Sequence, residues 1–187
     1  MTVPLPRLFH GKKVRLAQPN LEDAAVAARF SADGEYRRQM DSDYARGESL
    51  EEARQAILSM SQGGRSILFH LRAVPEDDLI GFVSLHDIEW NNQNGELSIG
   101  IWDPAYQDRG YGSEALQLIL NYAFYEINLF RVGLTVIASN ARAIHVYQKH
   151  GFREEGRMRQ VVHRDGKRVD QLMMSILRDE YVGKKKV

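Results

Sequence analysis

Residues 107 to 113 read Gln107-Asp108-Arg109-Gly110-Tyr111-Gly112-Ser113 and stand between a predicted strand and a predicted helix. The first turn of a helix presents unpaired N–H groups and the positive end of the helix dipole, which together favour a phosphate group. Gly110 and Gly112 have no Cβ, so a pyrophosphate can approach this backbone closely. Glycine-rich turns of this kind also occur for packing alone, so the loop needs support from elsewhere in the chain.

The loop differs from the two common glycine-rich nucleotide motifs. No Gly-Lys-Ser/Thr follows it, which excludes a Walker A loop, and the G-x-G-x-x-G pattern of dinucleotide-binding folds is incomplete. The surrounding elements therefore have to decide which phosphate-containing ligand, if any, it binds.

Upstream of the loop, three short segments have the composition of strands. They span residues 66–73, 79–86 and 96–102. Turn-forming residues separate them, and consecutive strands with short connections predict an antiparallel meander.

A strand and two helices are predicted before this meander. The strand spans residues 13–17, and Asn20 is the predicted N-cap of a helix that ends near residue 30. Ser49 and Glu52 form a capping-box pattern for a second helix to about residue 60, ended by Gly63-Gly64. The polar segment between the helices, residues 31–47, is predicted to be a loop.

Downstream of the loop, the hydrophobic period becomes helical. Predicted elements are a helix at 113–128, a strand at 131–138, a helix at 141–150, and a hairpin of 158–164 and 168–177. The order is β-α-α-β-β-β-α-β-α-β-β, an α+β fold with one mixed, mostly antiparallel central sheet flanked by helices. We expect a single domain over residues 1–187 with its core at about 12–177.

Composition excludes several classes of function. Basic and acidic residues balance at 25 each, so no nucleic-acid partner is expected. There is no cysteine, which excludes disulfides and a cysteine nucleophile. The six histidines show no metal-ligand spacing, so we expect no metal. No segment has the apolar length of a signal peptide or a membrane span, and we expect a cytoplasmic protein without a membrane partner.

A second motif lies at residues 140–152: Asn140-Ala141-Arg142-Ala143-Ile144-His145-Val146-Tyr147-Gln148-Lys149-His150-Gly151-Phe152. It resembles the N-x-x-A-x-x-x-Y-x-K-x-G-F element of the GNAT acetyltransferases, and the Q-x-x-G-x-G loop resembles the pyrophosphate motif of that family. The predicted order of elements also matches the GNAT fold. Segments 96–101, 121–124 and 166–170 are most similar to the branch that contains ribosomal-protein N-acetyltransferases and spermidine N-acetyltransferase.

The resemblance implies acetyl-CoA as co-substrate and an N-acetyltransferase activity. It places the cofactor on the strand before the loop, on the loop itself and at the start of the 141–150 helix. The implied cofactor-binding residues are Ile99, Ile101, Trp102, Gln107, Asp108, Arg109, Gly110, Tyr111, Gly112, Ser113, Asn140 and Ala143.

Tyr147 is the predicted general acid. It shares a helix face with Ala143, and a phenol with a pKa near 10 can protonate the departing CoA thiolate. By the resemblance Tyr147 has this role, and without it a packing role is the alternative. The chain has no cysteine, G-x-S-x-G or H-E-x-x-H, so direct attack of an amine on the thioester in a ternary complex remains.

The attacking amine must lose a proton. Resemblance to the polyamine-acetylating members makes Glu96 the predicted base, with a solvent-facing strand end as the alternative. Asp41, Asp87 and Glu89 are the predicted acceptor-binding residues. His86 beside Asp87, another carboxylate or a water chain is an alternative base.

The acceptor itself stays open at this point. A polyamine or other small amine and a protein N-terminus are the main alternatives, and an aminoglycoside or an amino-acid-like amine is also compatible. A non-catalytic acyl-CoA sensor or partner-binding module is the alternative function. Exposed sheet edges also allow a homo-oligomer.

Overall fold

A computed structural model describes residues 8–62 and 64–184 of the chain. Seven strands form one sheet in the order β1-β2-β3-β4-β5-β7-β6. The strands are β1 (Val14–Ala17), β2 (Ile67–Ala73), β3 (Leu79–Glu89), β4 (Asn94–Ile101), β5 (Arg131–Ile137), β6 (Arg153–Arg164) and β7 (Lys167–Leu177). The α-helices are α1 (Ala24–Ser31), α2 (Gly34–Met40), α3 (Leu50–Gln62), α4 (Tyr111–Asn121), α5 (Ala141–His150) and α6 (Arg178–Lys184).

The sheet consists of two antiparallel halves that meet at one short parallel contact. Strands β1 to β4 form the predicted meander, and β5, β7 and β6 form the second half. β4 and β5 pair in parallel at only three positions, ending at Glu96 opposite Gly133. Beyond that pair the two strands separate, which opens the sheet on the side towards the 107–113 loop.

Helices cover both faces of the sheet. α4 buries Leu116, Ile119 and Leu120 in the main core, which also contains the β3 residues Val83 and Leu85. On the other face, α1 and α3 pack on each other through Ala24, Ala53 and Ile57. Because side chains alternate along a strand, each residue of β4 is assigned to one of these two sides.

The predicted α+β fold is confirmed, with two helices that were not predicted. Residues 31–47 contain α2, whose first turn is capped by the Asp33 side chain accepting from Glu35 N and Tyr36 N. α2 was not predicted because this segment is polar and lacks the regular spacing of apolar residues that indicates a helix. The chain also continues from β7 into α6. The predicted capping residues Asn20 and Ser49 are confirmed, whereas Gly63 lies outside the described residues.

A buried ion pair attaches the segment before α1 to β2. Asp23 accepts from Arg72 at 2.5 Å and contacts His70 Nδ1 at 2.7 Å. Burial opposes ionisation of Asp23, but the hydrogen bond and charge of His70 and the charge of Arg72 outweigh it, so the pKa of Asp23 is lowered. This pair holds the helical layer against the sheet.

One carboxylate joins β1 to the first turn of α4. Glu114 accepts from the backbone N–H groups of Lys12, Lys13 and Val14, at 2.9, 2.7 and 2.9 Å. Gly11 allows this approach, since a Cβ there would collide with the Glu114 carboxylate. The contact spans about a hundred residues of sequence and positions the helix that follows the glycine-rich loop.

We expect Glu114→Gln to destabilise the protein by about 2 kcal/mol. The amide keeps one acceptor oxygen but points N–H donors at a row of N–H groups, and hydrogen bonds to a charged acceptor are the strong ones. Urea denaturation measures the change. Glu126→Gln, at an exposed glutamate beyond the end of α4, is the control. Equal stability of the two variants would show that the Glu114 contact is dispensable.

Candidate active site

A cleft of about 590 Å³ occupies the opening between β4 and β5. It extends from the start of α4 to the buried face of α5, and its mouth is bordered by α2. Lining residues from β4, β5 and the loop include Glu96, Leu97, Ser98, Ile99, Gly100, Ile101, Thr135, Val136, Ile137, Gln107, Asp108, Gly110, Gly112 and Ser113. Lining residues from the helices include Tyr36, Met40, Asp41, Asn140, Arg142, Ala143, Val146 and Tyr147.

The glycine-rich loop has the backbone of an anion site. Gly110 is the N-cap of α4 in the left-handed region, with φ of +87°, where a side chain would be strained. It is followed by the first helical turn, Tyr111 to Ser113, whose N–H groups lie outside the i to i−4 ladder. Gly112 lies beside Ile101, so the loop and the end of β4 form one wall.

Two cations flank this loop, and the sequence analysis missed both. Lys13 Nζ donates to the Arg109 carbonyl at 2.6 Å. Arg142 donates to Gln107 Oε1 at 3.0 Å and contacts Asp108 at 3.3 Å. Both charges can compensate a phosphate. Arg142 lies inside the second motif, which was a usable signal, whereas Lys13 is distant in sequence and had none.

Gln107 connects three elements rather than reaching towards a ligand. Its Nε2 donates to the Ile101 carbonyl at 3.0 Å, and its Oε1 accepts from Arg142. The end of β4, the loop and the start of α5 are thereby held together. The side chain that begins the predicted phosphate motif is a brace for the cleft.

α5 presents the predicted acid to the cleft. Asn140 caps the helix by accepting from Ala143 N at 3.1 Å, and Tyr147 follows Ala143 by one turn. The Tyr147 ring packs against Phe152 with centroids 5.6 Å apart, and only 9% of the residue is exposed. Burial raises the pKa of the Tyr147 phenol to about 12, so the phenol is protonated at neutral pH.

Glu96 lies where the two strands part. Its Oε1 is 3.5 Å from Arg131 Nη1, and 38% of its side chain is exposed. Burial raises the pKa of Glu96, Arg131 opposes this, and the charge of Asp87 adds to it. A carboxyl group with a raised pKa at this position can accept a proton more readily than an ordinary glutamate.

The other predicted acceptor residues are not brought together. Asp41 lines the mouth of the cleft. Glu89 lies at the far end of β3, where hydrogen bonds from Asn92 and Asn94 lower its pKa. Asp87 does not line the cleft, but its carboxylate contacts His86 Nδ1 at 2.9 Å, and His86 lines the cleft with its Nε2 3.0 Å from Ser98 Oγ.

Three residues that were predicted to bind the cofactor do not line the cleft with their side chains. Trp102 is on the opposite face from Ile101, where it packs on Phe30 and Phe82 with centroids 6.4 and 5.8 Å away. Strand alternation is the reason, because it sends neighbouring residues to opposite faces. The side chains of Arg109 and Tyr111 do not line the cleft either.

A second cavity of about 390 Å³ lies between the α1–α3 layer and β2 to β4. It shares Tyr36, Met40, Asp41, His86 and Ser98 with the cleft, so the two spaces meet. The sequence analysis assigned no role to Tyr36, because it lies in the segment that was predicted to be a loop.

Neither a metal site nor a membrane-spanning helix is found in residues 8–62 and 64–184. In that part of the chain, no group of three or more histidine, aspartate or glutamate side chains is arranged to hold a metal ion. Nor does any helix there have the length and apolarity needed to cross a bilayer.

The sequence and the fold were compared with those of known proteins. A family model described as a GNAT acetyltransferase domain matches residues 13–153. An uncharacterized N-acetyltransferase of Bacillus licheniformis, p20, is 26% identical over 176 residues, which cover 94% of this chain and 98% of the relative. The spermidine N(1)-acetyltransferase of Vibrio cholerae is 33% identical over 116 residues, 60% of this chain and 66% of the relative.

Solved structures agree on the fold. The spermidine N-acetyltransferase of Vibrio cholerae, crystallised with CoA and spermine, superposes with a TM-score of 0.83 at 23% identity, covering 92% of this chain and 99% of the other. The family model spans most of the chain, and the cleft, loop and α5 motif occupy the elements that the family resemblance assigns to them. The chain therefore belongs to the GNAT acetyltransferases and transfers an acetyl group from acetyl-CoA to an amine.

Proposed function

We propose that acetyl-CoA binds in the cleft with its pyrophosphate at the first turn of α4 and its thioester near Tyr147. The acceptor is a primary amine that enters from the α2 side. One observation carries the proposal: a single cleft is lined both by the glycines of the helix start and by the buried phenol. Lys13 and Arg142 supply positive charge at the phosphate end.

The reaction proceeds by direct attack. The amine nitrogen bonds to the thioester carbonyl carbon, the C–S bond breaks, the amine gives up a proton, and the CoA sulfur gains one. With no cysteine in the chain, no acyl-cysteine forms. Holding both reactants in one cleft supplies much of the rate, and N–H groups on the unpaired edge of β4 can polarise the carbonyl.

Tyr147 donates the proton to the departing sulfur. Its raised pKa does not disqualify it, because the same desolvation raises the pKa of the thiol that forms beside it. The pKa of the CoA thiol and the pKa of Tyr147 therefore differ by less than the raised pKa of Tyr147 alone suggests. A non-catalytic acyl-CoA sensor would need no such donor, so the buried phenol favours the enzyme.

Two arrangements can remove the proton from the amine. Glu96 lies in the cleft with a raised pKa, which suits a base that acts directly or through water. The Asp87–His86–Ser98 chain is the second arrangement, with Ser98 at the junction of the two cavities. We propose Glu96 as the base, because it is a carboxylate that lines the cleft directly.

Relatives suggest partners and assembly. The matched enzymes of Vibrio cholerae and Escherichia coli are spermidine N(1)-acetyltransferases, which makes a polyamine or another small amine a candidate acceptor. A putative ribosomal N-acetyltransferase of Bacillus subtilis also matches, which keeps a protein N-terminus as the second candidate. One structure of the Vibrio cholerae enzyme is dodecameric. We propose that this chain also forms a homo-oligomer and acts in the cytoplasm.

The first prediction concerns the phosphate end. Gly112→Val should weaken micromolar acetyl-CoA binding at least about tenfold, because the added side chain occupies the approach to the first turn of α4. A Cβ at Gly112 would be 3.5 Å from Ile101, an ordinary contact, so the fold should persist. Titration calorimetry measures binding. Gly34→Val, which opens α2 and points into open space, is the matched control. If Gly112→Val bound acetyl-CoA with wild-type affinity, the pyrophosphate would not bind at the first turn of α4.

The second prediction concerns the acid. Tyr147→Phe should lower kcat about ten- to a thousandfold, the usual contribution of general acid catalysis, while changing acetyl-CoA affinity little. The ring and its packing on Phe152 are kept. Single-turnover rates separate the chemical step from product release, and Tyr125→Phe at an exposed tyrosine is the control. An unchanged single-turnover rate would leave Tyr147 with a packing role.

The third prediction concerns the base. A carboxylate base must be ionised, so activity should rise as pH increases through the raised pKa of Glu96. Glu96→Gln should remove that ascending limb from the profile of kcat against pH at saturating amine. Glu89→Gln, at a carboxylate outside the cleft, is the control. A limb of unchanged position and height would reject Glu96, and its loss in His86→Gln instead would assign the base to the His86–Ser98 chain.

A further inference from the structure

The second cavity collects the unsatisfied polar atoms of the described chain. Three buried side-chain atoms in residues 8–62 and 64–184 lack a hydrogen-bond partner: Tyr36 Oη, Arg37 Nε and Ser84 Oγ. All three residues line this cavity. A buried polar atom that is left unpaired destabilises the fold, and native proteins contain few of them. Their concentration in one space points to a ligand that supplies the missing partners.

Tyr36 marks the junction with the cofactor cleft. Its hydroxyl lies directly over Gly100 of β4, where any side chain would collide with it. Trp102 lies nearby without the geometry of a hydrogen bond. Burial raises the pKa of Tyr36, so its hydroxyl is protonated and can donate as well as accept. A group bound at this hydroxyl would be adjacent to the strand that holds the thioester.

Arg37 indicates which kind of atom the missing hydrogen-bond partner must be. Its Nη1 pairs with Glu48 Oε1 at 3.0 Å, so its charge is already matched. Its Nε–H is buried and unpaired, and because this group is a donor only, it calls for an oxygen acceptor, a carbonyl or a carboxylate. An ammonium group cannot satisfy it.

About half of the residues that line the second cavity are apolar. They are the aliphatic and aromatic residues Ala27, Met40, Ala53, Ala56, Ile57, Met60, Leu68, Phe82 and Trp102. Of the carboxylates that line it, Glu48 is paired with Arg37, and Asp41 lies at the mouth shared with the cleft. Several ammonium groups of a polyamine would be buried here without partners, which is costly. The volume of 390 Å³ lies in the usual range of small-molecule sites, about 300–1,000 Å³.

Resting on the proposed function, we propose that the second cavity selects an α-amine with an apolar side chain and a neighbouring carbonyl or carboxylate oxygen. The side chain occupies the apolar wall, the oxygen accepts from Arg37 Nε, and the amine lies at the junction beside Tyr36 and Ser98. A free amino acid and the first residue of a peptide share this chemistry.

Acceptor kinetics test the proposal on the full chain. With saturating acetyl-CoA, thiol release is followed for leucinamide, glycinamide, 3-methylbutylamine and spermidine. Leucinamide should exceed glycinamide, which lacks the apolar group, and 3-methylbutylamine, which lacks the oxygen, by about ten- to a hundredfold in kcat/KM. Free leucine and a leucyl dipeptide, run beside leucinamide, identify which source is preferred.

Three variants assign the contacts. Arg37→Lys keeps the pairing charge for Glu48 but removes Nε–H, so it should lower the ratio of leucinamide to 3-methylbutylamine about tenfold. Ser84→Ala and Tyr36→Phe should reduce kcat/KM for leucinamide without lowering the melting temperature, since neither hydroxyl has a partner in the free protein. Tyr44→Phe and Ser59→Ala are exposed controls.

The outcomes separate the two proposals. Leucinamide preferred over both matched amines, with the ratio reduced in Arg37→Lys, supports the inference. Spermidine as the best acceptor, or glycinamide equal to leucinamide, overturns it and leaves the N-acetyltransferase intact. Binding of acetyl-CoA without acetylation of any amine rejects the proposed function, and the inference falls with it.

Discussion

The separation of β4 from β5 after three paired residues is the constraint on which the site depends. Up to Glu96 and Gly133 the sheet is continuous, and beyond that point the strand edges face a gap instead of each other. The unpaired edge of β4, the start of α4 and the buried Tyr147 phenol all border this gap. A fully paired sheet with the same residues would have no room for a cofactor.

Side chains alternate along β4, so the strand contributes residues to both sides of the sheet. Ile99 and Ile101 face the α4 side, whereas Ser98 and Trp102 face the α1–α3 layer. In the proposed arrangement the acyl donor and the acceptor approach the same strand from different sides, and Gly100 leaves room for the Tyr36 hydroxyl between them. The two cavities share lining residues beside Gly100, so the two bound reactants can contact each other at this point.

Local patterns predicted the elements whose signals lie within a few residues of one another. The helix after the glycine-rich loop and the helix that carries Tyr147 both follow from short-range spacing, although the first begins at Tyr111 rather than at the predicted Ser113. Lys13 reaches the loop from nearly a hundred residues away. Trp102 was predicted to bind the cofactor together with Ile101, although strand alternation sends neighbouring side chains to opposite faces. Tyr36 was overlooked because a capped, polar helix such as α2 carries no apolar period, and its unpaired hydroxyl appears only once Gly100 is placed beneath it.

The Glu114 carboxylate has a dynamic consequence. It ties three successive amides at the start of an edge strand to the helix that we propose as the phosphate site, so we expect the two elements to open and close together. Ligand bound at that helix lowers the population of the open form by mass action. Hydrogen exchange at the amides of Lys13 and Val14 should therefore slow when the cofactor is present, although both amides are bonded to Glu114 and not to the ligand.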